Sequence, residues 1–198
     1  MLKKLNNLQI KDRLVRAFIT VAVIMTTVSV VTLITMFVVS QLFSSALVNY
    51  GFAQGDIGRA MTQFADSRSA MRGIIGYDDQ EAIDTLLANH ETYKDTFTKE
   101  FNSLESAMVT AENKALYKDV QDKLDDYWTF EEEIIAQGAT TDRELCKLAQ
   151  DKALGELAPM YNDIYTDLTE IMEIKVEKGQ SQSTLLATIV IILIVVII

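Results

Sequence analysis

The sequence predicts an all-α protein: an antiparallel up-down-up-down four-helix bundle flanked by two transmembrane helices. Three observations carry this. Apolar residues crowd into two stretches near the ends, around a strongly acidic middle. The middle repeats apolar residues at alternating steps of three and four, the spacing of a helical seam. Helix breakers are scarce, with one Pro and eight Gly in 198 residues, while Ala, Leu, Glu, Asp and Lys are abundant. No alternating strand pattern runs through any segment, and the length fits one domain.

Residues 1–16 form a short basic start, read as cytoplasmic. Ala17 to Val39 is 23 residues without a charge. As a helix it reaches about 34 Å, enough for a bilayer core of about 30 Å. It is longer than a signal-peptide core and no small-residue cleavage pattern follows, so residues 17–39 read as a retained first membrane helix. Residues 40–183 form the acidic middle. Thr184 to Ile198 is a second apolar run of about 22 Å as a helix. It stops short of a full crossing, so residues 184–198 read as a truncated second membrane helix, with a longer natural protein expected.

The first bundle helix continues outward to about Ile75. Its seam is Phe43, Leu47, Tyr50, (Gln54), Ile57, Met61, Phe64, (Arg68), Met71 and Ile75. Gly76-Tyr77-Asp78-Asp79 ends it, with Gly suited to a helix C-terminus and Asp to the next N-cap. The second helix runs from about Gln80 to Val109, with Ile83, Leu86, Leu87, His90, Tyr93, Phe97, Phe101, Leu104 and Met108 inward. Thr110 caps the third, from about Ala111 to Gln137, with Leu116, Val120, Leu124, Tyr127, Trp128, Phe130 and Ile134 inward. Gly138 ends it. Thr141-Asp142-Arg143-Glu144 reads as a capping box with Thr141 at the N-cap, opening a short helix to about Leu154. Gly155 and Pro159 mark a break or kink. Met160, Tyr161, Ile164, Leu168 and Ile171 then carry a helix to the second apolar run. Helices this long joined by short turns lie antiparallel.

Charge sets the expected orientation. Five of the 18 basic residues, Lys3, Lys4, Lys11, Arg13 and Arg16, precede Ala17, against Asp12 alone of the 28 acids. The basic end stays in the cytoplasm and the acidic stretch from Gln41 to Ser183 lies outside. The acidic sign argues against nucleic acid and anionic headgroups as partners. A single cysteine, Cys146, rules out a disulfide within the chain and a thiolate metal site; it reads as a small buried apolar residue. No nucleophile–base set, Gly-rich phosphate loop or zinc spacing is present, so the expectation is no enzyme, no cofactor and no metal. His90, without a second His, reads as a satisfied core histidine. Asp125-Asp126 and Glu131-Glu132-Glu133 are adjacent residues that splay round a helix and read as a solvated face.

The order of these pieces resembles the N-terminal region of methyl-accepting chemotaxis proteins with a four-helix-bundle ligand-binding domain. The features are the basic start Leu5-Asn6-Asn7-Leu8-Gln9-Ile10-Lys11-Asp12-Arg13-Leu14 before the first span, and a helix Ile57–Ile75 ending in Gly-Tyr-Asp-Asp. Ala111-Glu112-Asn113-Lys114-Ala115-Leu116-Tyr117, the Tyr127-Trp128 pair and Gly155-Glu156-Leu157-Ala158-Pro159 follow. The resemblance covers the whole chain. It implies a homodimer packed through the first helix, in the bacterial cytoplasmic membrane, binding a small solute at the far part of the dimer interface. It implies a shift of the last helix, passed through the second span and a HAMP module to a cytoplasmic kinase and its adaptor. The same sensor also occurs on histidine kinases and diguanylate cyclases, and a membrane-tethered adaptor for an envelope protein is a rival reading.

Arg68 stands at a seam position where an apolar residue is expected, and a buried guanidinium needs a partner. Arg72 follows one turn on. Two guanidiniums a turn apart can grip a carboxylate through paired bonds, and in amino-acid receptors of this family arginines near this height do so. The alternative is ion pairs within the bundle, with Asp66, Asp84 or Asp163 as partners. Arg59, on the other side of the helix, reads as a surface charge. Tyr161, Asn162 and Tyr165 follow the proline at matching height; they either close the pocket or, for the tyrosines, fill the core. The polar residues that amino-acid receptors carry around this proline are replaced by Leu157, Ala158 and Met160, which argues against an aspartate- or serine-like ligand. The expected ligand is an organic acid or an amino-acid-like solute.

Overall fold

The computed structural model describes residues 10–197; the basic start at Lys3 and Lys4 and the Leu5–Gln9 stretch lie outside the described residues. Every regular element among the described residues is helical. Helix α1 spans Ile10–Ala46, followed by a wide π turn at Leu47–Phe52 and helix α2 at Ala53–Ile74. Helix α3 is Gln80–Ser103, with a tight 3-10 turn at Leu104–Ala107. Helix α4 is Ala111–Gly138, and α5 is Arg143–Lys152. A second π turn, Ala153–Leu157, leads into α6, Ala158–Ile197.

The chain divides into two units. One holds the chain up to Ser45 together with Gln182 onward; the other is Ala46–Ser181. In the first, the side chains of α1 from Ile10 to Ala46 include no buried residue, and large apolar groups such as Phe18, Ile24, Leu33 and Phe37 are exposed. Its Thr and Ser hydroxyls return to carbonyls one turn back, as at Thr26 to Ala22 and Ser29 to Met25, both 2.8 Å. That is how a polar side chain is satisfied without water.

The second unit is the four-helix bundle of α2, α3, α4 and the α5–α6 track. The short turns at 75–79, 108–110 and 139–142 reverse the chain each time. Two of the expected caps hold. The Asp79 carboxylate accepts the Ala82 amide at 3.1 Å and the Thr110 hydroxyl accepts the Asn113 amide at 3.1 Å. The third moves one residue: Asp142, not Thr141, caps α5, accepting the Glu144 and Leu145 amides. A carboxylate outcompetes the hydroxyl beside it because charge adds to the hydrogen bond at a helix start.

Two further expectations are corrected. The second bundle helix stops at Ser103, and Met108 and Val109 belong to the turn. Of the break or kink expected at Gly155 and Pro159, there is no break: a π turn keeps the track helical from Arg143 onward. Proline lacks an N–H and its ring clashes with the carbonyl four residues back. A turn wound one residue wider, closed by the Ala158 amide on the Ala153 carbonyl, relieves that clash without ending the helix.

The core is organised round Phe64 of α2. Its ring lies 5.1 Å from Phe97 of α3, 5.1 Å from Tyr127 and 5.6 Å from Trp128 of α4, and 4.6 Å from Tyr161 of α6. All four bundle helices therefore meet in one aromatic layer. Ile57, Leu104, Val120, Leu168 and Ile171 continue the core towards the end where Ala46 enters. Met71, Ile74, Ile83, Ile134 and Leu157 continue it towards the end closed by the Gly76 and Ala139 turns.

Candidate functional site

The site is built on the last two turns of α2. Arg68 stands one turn beyond Phe64 and Arg72 one turn further. Arg68 does not occupy the seam itself: Ser67 is the fully buried neighbour and Arg68 is half-buried at the seam's edge. Its guanidinium lies over the Tyr161 ring, 3.9 Å from the centroid, a cation–π contact. Tyr161 is buried and also stacks on Phe64. Burial pushes the Tyr161 phenol up, with the nearby Arg68 charge opposing it.

Across from these arginines run α5 and the π turn. Together they leave a cleft of about 360 Å³, lined by Arg68, Met71, Arg72 and Ile75 on one side and by Gln150, Leu154 and Leu157 on the other. That is the low end of the size range of small-molecule sites. A second, shallower hollow uses Arg68, Arg72 and Tyr161 with Ser69 and Gly73. The Gln150 side-chain amide donates to the Ile75 carbonyl at 2.7 Å. The Ile75 carbonyl is one of the groups a helix end leaves without an amide partner, and Gln150 satisfies it across the cleft.

The ion pairs that would have tied the two arginines into the bundle are not made. Among the described residues neither Arg68 nor Arg72 has a carboxylate within 4 Å. Asp163 instead binds Lys123 at 2.9 Å, together with Asp119 and Asp167. Those three carboxylates, Asp163 foremost, hold the Lys123 ammonium well above its usual range. Asp84 accepts the Gln80 amide at 2.8 Å. Arg59 is 60% exposed and pairs with Asp56 and Glu100 on the outer face.

The structure thus brings together Arg68, Arg72 and Tyr161. It does not bring Asn162 or Tyr165 to the cleft. Asn162 is exposed, one residue round from Tyr161. Tyr165 is 38% exposed and stacks on Tyr161 at 5.7 Å. Successive helical residues point about 100° apart, so Tyr161 and Asn162 could not both face the same wall. Gln150, Leu154 and Met71 complete the cleft. Gln150 carries no signal in sequence, because its partner is a main-chain carbonyl 75 residues away.

A second polar group lies within the core. Glu131 is fully buried, which corrects its assignment to a solvated face. The His90 Nε2–H donates to its Oε2 at 3.0 Å and the Tyr127 hydroxyl to its Oε1 at 2.9 Å. His90 is satisfied, as expected, by a partner that its own sequence neighbourhood does not reveal. Glu131 continues the inward row Leu124, Tyr127, Ile134 at steps of three and four; its charge masked a position the spacing marks. Cys146 is buried, and its thiol contacts the Thr140 carbonyl at 3.0 Å.

Comparison with known families places these elements. Residues 7–185 match a family described as a four helix bundle sensory module for signal transduction. No curated protein and no solved structure gave a significant match.

Proposed function

The chain belongs to the four-helix-bundle sensory modules for signal transduction, and on that premise we propose that it is the sensing region of a bacterial chemoreceptor of the methyl-accepting type. In this reading residues 17–39 and 184–198 cross the cytoplasmic membrane and residues 41–183 stand outside it. Two helical stretches long and apolar enough to cross support the crossing. The basic residues before Ala17 support the orientation.

The cleft takes a small anionic solute. One observation carries this: two guanidiniums, one half-buried, line a cleft with no carboxylate among the described residues to neutralise them. A carboxylate entering there replaces lost hydration with charge-assisted bonds in a fixed geometry. Its body then touches the π turn of the last helix track. A solute so placed favours whichever position of that track contacts it better, and shifts the population by that difference alone. The chain works as a homodimer packed through its first helix, and the cytoplasmic kinase and adaptor respond to the displaced last helix. No catalytic step and no cofactor is assigned to it.

The test is a thermal-shift screen of organic acids and amino acids on the full chain in lipid nanodiscs. A ligand at a hundred times its Kd stabilises by about 2.7 kcal/mol. At least one acid raises Tm, and Arg68→Ala abolishes the rise while leaving the unliganded Tm close to wild type. If no acid raises Tm, direct sensing of an anion is wrong. If Arg68→Ala lowers the unliganded Tm but keeps the ligand-induced rise, Arg68 is structural.

A further inference from the structure

The walls of the cleft say more about the ligand than its two charges do. Gln150 is the one side-chain oxygen acceptor among the lining residues, and one of its two amide N–H groups is committed to the Ile75 carbonyl at 2.7 Å. What remains is one neutral amide N–H, a weak match for a second carboxylate, and the carbonyl oxygen, which accepts an N–H. Every other wall residue away from the arginines is apolar or small. Met71 and Ile75 are 2% exposed and form the floor. Leu157 is buried beside them. Leu154 is 68% exposed at the rim, an unusually open position for a leucine.

A dicarboxylate would set its second charge against this apolar wall with no cation and a single neutral amide N–H to meet it, which is unfavourable. A compact phosphate or sulfate would satisfy the arginines and leave the wall wet. A carboxylate with an apolar tail satisfies both halves. Its head lies on Arg68 and Arg72, and its tail lies on Met71, Ile75 and Leu157 and covers Leu154. We propose that this cleft selects monocarboxylates bearing an apolar tail of a few carbons, a class that includes short fatty acids and aliphatic amino acids. This rests on the reading of the cleft as the anion site. An aliphatic amino acid differs only in presenting an ammonium to the Gln150 oxygen.

The probes are acetate, butyrate, hexanoate, L-norleucine and L-malate. They are titrated calorimetrically into the full chain in nanodiscs, with empty nanodiscs as reference. Each added methylene buried against the wall tightens binding, by roughly two- to fourfold for a cleft open on one side. Hexanoate therefore binds at least tenfold tighter than acetate, and malate binds no tighter than acetate. Norleucine tighter than hexanoate assigns the Gln150 oxygen to an ammonium; the reverse assigns a fatty acid. Leu154→Ser changes a solvent-exposed side chain without adding a charge, so the fold survives; it weakens the tail dependence while acetate binding persists. Arg68→Ala with Arg72→Ala removes all binding.

Malate or acetate binding as tightly as hexanoate, with the arginines still required, overturns the tail preference and leaves the anion site standing. Hexanoate binding that survives loss of both arginines overturns the cleft as its site. No binding by any probe overturns the tail preference, and with the acid screen also empty the anion site falls with it.

Discussion

Lys175 offers the sharpest test of how this bundle handles charge. It is fully buried on α6, where its ammonium donates to the Ala107 carbonyl of the 3-10 turn and faces the Tyr50 ring at 5.6 Å. No carboxylate reaches it among the described residues. Burial alone pushes its pKa down, from 10.5 to about 8. That gap corresponds to roughly 3 kcal/mol of cost for keeping the ammonium charged in the fold. Replacing it by methionine keeps the stem and removes the charge. Against that gain stands the Ala107 carbonyl, left without its donor at about 1–2 kcal/mol. The net expectation for Lys175→Met at pH 7 is a gain of about 1–2 kcal/mol, a Tm about 3–6 °C higher.

The sign with pH follows from linkage. The folded pKa lies below the unfolded one, so the unfolded chain binds the extra proton between pH 8 and 10.5. Wild-type stability from this group therefore rises through that window, and is lowest below pH 8. The advantage of Lys175→Met shrinks as pH rises towards 10. Circular dichroism melts of both proteins at pH 7, 8.5 and 10 read this directly. A methionine variant less stable at pH 7, or a gap that does not change with pH, refutes the idea that this ammonium is held at a cost.

Other expectations concern stability at named positions. Glu131→Leu leaves both His90 and Tyr127 buried without a partner, and costs about 3 kcal/mol in denaturant unfolding. Ser67→Ala removes a fully buried hydroxyl that has no hydrogen-bond partner among the described residues, and raises stability by about 0.5–1 kcal/mol in the same assay. Gly138→Ala places a Cβ 2.6 Å from Ala149 and from Ile75, so the joint between α4, α5 and the end of α2 is forced apart; a loss of about 1–3 kcal/mol is expected in thermal melts.

What the sequence determined by itself is what local periodicity and composition control. The apolar runs, the seams through Phe64, Phe97, Tyr127 and Tyr161, and the caps at Asp79 and Thr110 all follow from residues within a turn or two of one another. These are the terms that decide whether a helix forms and which stripe it buries. The pairing of Arg68 with Arg72 was legible for the same reason.

Only the tertiary structure decided how polar residues are matched between helices. Gln150 meets the Ile75 carbonyl across 75 positions, Glu131 takes His90 across 41, and Asp163 goes to Lys123 and not to Arg68. Each choice depends on the rotation and height of two helices relative to each other, which spacing along one chain leaves free. The absorption of Pro159 by a π turn likewise left the track continuous where a break or kink was expected. The cleft exists because of these choices: two cations kept without anions, facing a wall made apolar by Leu154 and Leu157.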